Sequence, residues 1–69
     1  MPIVEIHLME GRDDAKKRRL VREVTDAVAS SLEVPPGAVR IILTEMAKNH
    51  YSVGGTLVLD DPTVTRPKS

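Results

Sequence analysis

No cysteine occurs in the chain, nor any phenylalanine or tryptophan, and a single tyrosine, Tyr51, is the whole aromatic complement. Missing thiols exclude a disulfide framework and any thiolate metal site. The two histidines, His7 and His50, stand too far apart in sequence to suggest a zinc pair. With so few aromatic rings, Val, Leu and Ile must supply the core. No charge of one sign prevails: ten basic side chains face ten acidic ones, for a formal net charge of +0. A dedicated nucleic-acid binder is normally basic overall, so that class of partner falls away. Apolar runs reach only three residues, as at Ile41 to Leu43, far below the roughly 20 of a membrane-spanning helix. The opening Met-Pro-Ile-Val-Glu-Ile-His has no basic stretch leading into an apolar one, so no signal peptide is read. The expectation is a cytoplasmic protein with neither nucleic acid nor membrane as partner.

What is present is short. Sixty-nine residues make a single domain at most. A chain of this size buries only roughly 60% of its unfolded surface. Without disulfides or a metal, oligomerisation is the remaining stabiliser.

Residues 3 to 8 alternate, with Val4, Ile6 and Leu8 against Glu5 and His7, as in a half-buried strand. Met9 to Arg12 form a connection through Gly11. Asp13 is a natural helix N-cap, and Asp14 an acidic first-turn residue. From Asp14 to Leu32 the period is helical. Leu20, Val21, Val24, Ala27, Val28, Ser31 and Leu32 fall within an arc of about 140°. Arg19–Glu23 and Arg22–Asp26 are spaced for i,i+4 pairing. Pro35-Pro36-Gly37 ends the helix. Val39 to Glu45 reads as a second strand, Met46 to His50 as a loop, and Gly54-Gly55 as a hairpin turn between Tyr51–Val53 and Thr56–Leu59. The tail from 60 to 69 is expected to be flexible. The fold class is α/β (α+β): a βαβ unit with parallel strands and a right-handed crossover, then a C-terminal β-hairpin. One helix covers one face of a two-stranded sheet. Ile3 and Ile42 lie on the other face, and a second copy of the chain is the simplest cover.

Pro2 carries the most chemical information. Initiator Met is normally removed before a small residue, which leaves Pro2 with a free secondary amine. Its ring fixes φ, so the following strand aims the nitrogen. An α-amine titrates near pH 8. An apolar site beside cations lowers that value and makes the nitrogen a general base near neutrality. Arg12 follows the first strand, and Arg40 opens the second. A guanidinium fork suits carboxylate or enolate oxygens. Lys16-Lys17-Arg18-Arg19, interleaved with acids, reads as a solvated helix face. His7 reads as structural or surface, His50 as a loop residue beside Tyr51, and Glu10 and Glu45 receive no chemistry.

Several segments fall in one order: Pro2-Ile3, Ile6 to Arg12, Leu20 to Val24, Val39 to Met46 and Gly54-Gly55. Across residues 2 to 57 this pattern resembles the 4-oxalocrotonate tautomerase family. The resemblance implies a fold completed by oligomerisation, a hexamer built as a trimer of dimers, and catalysis without cofactor or metal. It implies keto–enol tautomerisation of a 2-hydroxydienoate such as 2-hydroxymuconate, a small dicarboxylate substrate, to the conjugated 2-oxo isomer. Pro2 would be base and then acid. Arg40, from a neighbouring subunit, would bind the carboxylate and carbonyl end and draw electron density towards it. Arg12 would bind a substrate carboxylate, and Tyr51 and Leu8 would line the pocket. Tyr51 stands where Phe is commoner. No acid occurs between Glu45 and Asp60, so hydration and dehalogenation, which need a water-activating carboxylate, are set aside. Two alternatives remain at this point: a non-catalytic oligomeric binder of a small anionic metabolite, and a tautomerase scaffold recruited to a biosynthetic pathway.

Overall fold

The computed structural model describes residues 1–61. Strand β1 (Ile3–Met9), helix α1 (Asp14–Leu32) and strand β2 (Arg40–Met46) form the βαβ unit. β1 and β2 are parallel, in register from Ile3 opposite Arg40 to Met9 opposite Met46. Two further backbone bonds extend the pairing, Arg40 N–H to Pro2 O and Glu10 N–H to Met46 O, both 3.0 Å. Strands β3 (Ser52–Val53) and β4 (Thr56–Leu57) form the antiparallel hairpin.

Asp13 starts α1 as expected. Its backbone is extended and its carboxylate accepts the Lys16 N–H at 2.9 Å. The helix ends two residues before the prolines, at Glu33, which adopts the left-handed conformation (φ 56). Val34 N–H then turns back to Ala29 O at 3.0 Å. Pro35 is extended and Pro36 opens a 3₁₀ turn, Pro36–Ala38, where its missing N–H costs nothing.

Several strand boundaries differ from the sequence reading, β1 reaching Met9 and β3 starting at Ser52. Val39 is outside β2 because its N–H closes the 3₁₀ turn onto Pro36 O, and Met46 is inside because it pairs with Met9. The loop before the hairpin holds a 3₁₀ turn at Lys48–His50. The last strand stops at Leu57, where Val58–Asp60 wind into another 3₁₀ turn and Val58 N–H bonds Tyr51 O at 2.9 Å. Gly54 and Gly55 have φ of 60 and 87. Positive φ at both central residues is the type I′ geometry that a two-residue hairpin takes. The expected flexible tail lies, from residue 62 on, outside the described residues.

Among the described residues only Ala29 and Val58 are buried. Val4, Ile6, Leu8, Ile41 and Leu43 are half-buried on the helix side of the sheet. Ile3 and Ile42, on the other side, are 51% and 50% exposed. Burying a fully exposed side chain of this kind is worth about 1.5–3 kcal/mol, so the exposed half of each isoleucine is worth roughly 1 kcal/mol. The uncovered face therefore carries a drive towards association.

Candidate active site

Alternation along β1 places Pro2 on the helix side with Val4, Ile6 and Leu8, where it is half-buried. Met1 still precedes it, so the ring nitrogen is an amide, and Met1 itself is 68% exposed. Arg40 lies beside Pro2 through the backbone, its N–H on Pro2 O. Its side chain belongs to the opposite, uncovered face with Ile42, and its guanidinium reaches Ala38 O at 3.5 Å.

Arg12 lies at the far end of β1. Seven residue steps from Pro2 to Met9 span about 23 Å of extended chain. The Arg12 guanidinium donates to Met9 O at 3.1 Å. With Leu8 it lines a hollow of about 260 Å³ between β1 and the first turns of α1, whose other walls are Ile6, Leu20, Lys16 and Lys17. No acidic side chain among the described residues lines it. A single protomer thus brings Leu8 and Arg12 together and Pro2 and Arg40 backbones together. It does not bring Pro2 and Arg12 together. Tyr51 stands apart at the mouth of the hairpin, 43% exposed.

Lys16 and Lys17 were not singled out by sequence. The signal was available: with Leu20 at the origin, Lys17 falls at about 60°, inside the apolar arc, and Lys16 at about −40°, on its edge. Only Arg18 and Arg19 of the basic run point fully outward. Lys17 is tied to Glu45 at 2.9 Å. That hydrogen bond, more than the nearby charges of Asp14 and Asp13, raises the Lys17 pKa above its ordinary value. Glu45 is thus a structural anchor that joins α1 to the end of β2. Arg19 pairs with Glu23 as its spacing suggests, holding the Glu23 carboxyl below its usual value. Arg22 and Asp26 form no ion pair with each other. Neither Arg12 nor Arg40 pairs with a carboxylate among the described residues. No group of three described His, Asp or Glu side chains could hold a metal ion, and no described helix is long and apolar enough to cross a membrane.

Residues 2–61 match the family model described as tautomerase enzyme. The chain belongs to the tautomerase family. A 2-hydroxymuconate tautomerase of Pseudomonas putida is 53% identical over 57 residues, which cover 83% of this chain and 90% of that protein. A solved 4-oxalocrotonate tautomerase isozyme of Methylibium petroleiphilum superposes with a TM-score of 0.86 at 36% identity, over 93% of this chain and 100% of that one. A heterohexameric 4-oxalocrotonate tautomerase of Chloroflexus aurantiacus J-10-fl superposes with a TM-score of 0.83 at 33% identity, covering 87% and 97%. The present tautomerase is therefore an isomerase with the small α+β fold of these proteins. The expected class and architecture hold.

Proposed function

We propose that this tautomerase converts a 2-hydroxydienoate, 2-hydroxymuconate foremost, into its conjugated 2-oxo isomer, with Pro2 as the proton carrier. The reading rests first on the similarity to 2-hydroxymuconate tautomerases. Its structural support is the hollow that joins Arg12 to apolar Leu8, Ile6 and Leu20, with no acid among the described residues of its lining.

Removal of Met1 converts the Pro2 nitrogen from an amide to a basic secondary amine. Met1 projects outward and is open to a peptidase, and the family match begins at Pro2. Apolar surroundings and guanidinium groups disfavour a second positive charge, so the amine is kept unprotonated near neutral pH. It takes the proton of the 2-hydroxyl. The O–H pair becomes the C=O bond, the diene electrons shift along the chain, and Pro2 returns the proton to carbon. Negative charge grows on the oxygen during this step. Arg40 meets that charge as a fixed donor fork. Arg12 holds the remote carboxylate and thereby fixes the chain's orientation.

One protomer holds Pro2 at one end of β1 and the Met9 carbonyl that Arg12 contacts at the other, about 23 Å of extended chain away, so the working site combines residues from different copies. A homo-oligomer, a hexamer as a trimer of dimers, meets that need and covers Ile3 and Ile42. The expected setting is cytoplasmic.

Mass spectrometry of the purified chain and an ultraviolet assay with 2-hydroxymuconate test this reading. The expected result is a mature chain that begins at Pro2. Pro2→Leu, whose bulk prevents Met1 removal and so leaves only an amide nitrogen at position 2, should then lower kcat by about 10²–10⁴-fold, the range of a lost general base. Unchanged turnover in that variant would discard the proton-carrier role. Binding without deuterium incorporation at carbon would make the protein a binder instead.

A further inference from the structure

We infer that Lys16 completes a two-cation clamp with Arg12, and that the clamp makes this tautomerase selective for dicarboxylate over monocarboxylate dienols. The inference rests on the reading that Arg12 receives the remote carboxylate, and it deepens that reading.

Arg12 and Lys16 are four residues apart across the start of α1, and both line the hollow beside Leu8. Lys16 is fixed in place at its backbone, whose N–H is held by the Asp13 carboxylate. Its neighbour Lys17 also reaches the hollow, but Glu45 holds that ammonium. The Lys16 ammonium has no ion-pair partner among the described residues, and Asp13 is engaged at the cap. Two cations without a carboxylate partner among the described residues therefore stand at the rim of an apolar floor made by Ile6, Leu8 and Leu20. Like charges so placed repel, and an anion between them relieves the repulsion while adding charge-assisted hydrogen bonds. The chemistry fits the end of a flat, apolar chain terminated by a carboxylate. Arg12 supplies the planar fork and Lys16 a mobile point charge. The positive end of the helix adds to the same field.

The substrate pair that reads this out is fixed by chemistry. In 2-hydroxypenta-2,4-dienoate the lone carboxylate adjoins the reacting hydroxyl, so the clamp stays empty. In 2-hydroxymuconate the second carboxylate occupies it. Lys16→Gln keeps length and helix propensity and removes the charge. It should raise KM for 2-hydroxymuconate about three- to tenfold, as for one partly exposed charged contact. KM for the pentadienoate should move less than about twofold. Lys16→Arg should keep the preference. An equal rise for both substrates, or no rise for either, overturns the clamp.

Calorimetric binding of muconate, which carries no hydroxyl to react, provides a second arm independent of turnover. Lys16→Gln should weaken muconate binding, and Arg18→Gln, which removes the same charge from the outer helix face, should not. Equal effects of the two overturn the inference. Absence of turnover with both hydroxydienoates in the native protein would sink the Pro2 reading, and the muconate arm would still decide the clamp.

Discussion

The two faces of the β1–β2 sheet are built from the same strands and meet opposite fates. On the inner face Val4, Ile6, Leu8, Ile41 and Leu43 are half-buried beneath α1. On the outer face Ile3 and Ile42 stand half in water among Glu5, His7, Arg40 and Thr44. The inner face is a local problem, solved by a 19-residue helix that crosses back over the strands. The outer face has no solution within one chain, and it also carries Arg40. With the role proposed for Arg40, stability and catalysis are left incomplete on the same side of the sheet. A second copy that covers the isoleucines also approaches Arg40.

Substitutions on the two faces should fail differently. Ile42→Asp places a charge on the outer face and should abolish assembly, measured by sedimentation, together with nearly all turnover. Ile42→Val should retain both. An Ile42→Asp protein that stays assembled and active would remove the interface role of that face. Leu43→Ala, one residue on but facing α1, should cost about 2 kcal/mol through lost burial. It should lower Tm while leaving the sedimentation coefficient of the folded fraction unchanged. The smallest effect belongs to neither face. Glu33 is held at φ 56, so Glu33→Gly should relieve left-handed strain and stabilise by about 0.5 kcal/mol in denaturant titration. Destabilisation would mean that the Glu33 side chain contributes more than its backbone strain costs.

The sequence made the inner face readable and the outer face only by subtraction. Period-2 alternation and the Leu20-centred stripe specify β1 and α1 because those contacts are local. Asp13 and Gly54-Gly55 are legible for the same reason, each serving a backbone need within a few residues. The extent of α1, Asp14–Leu32, is legible from its period, whereas the left-handed turn at Glu33 that closes it is announced by no residue preference. The boundary at Val39 depended on a hydrogen bond to Pro36 that competes with the strand ladder. Within the candidate site, the family likeness pointed to Pro2, Arg12, Arg40, Leu8 and Tyr51. It could not show that Pro2 and Arg12 occupy opposite ends of one strand, because that separation belongs to the extended chain. Lys16 and Lys17 were hidden inside a basic run whose average is solvated, although the helical wheel divides that run between two faces.

Subunit complementation tests the central claim, that the catalytic amine and its carboxylate-binding arginine come from different copies. Pro2→Leu and Arg12→Ala proteins are unfolded together, refolded as mixed oligomers and assayed at low 2-hydroxymuconate. Turnover well above the sum of the two separate variants is predicted, because some sites then pair an intact Pro2 with an intact Arg12. No gain at any mixing ratio, with mixed oligomers confirmed by mass, would contradict the account.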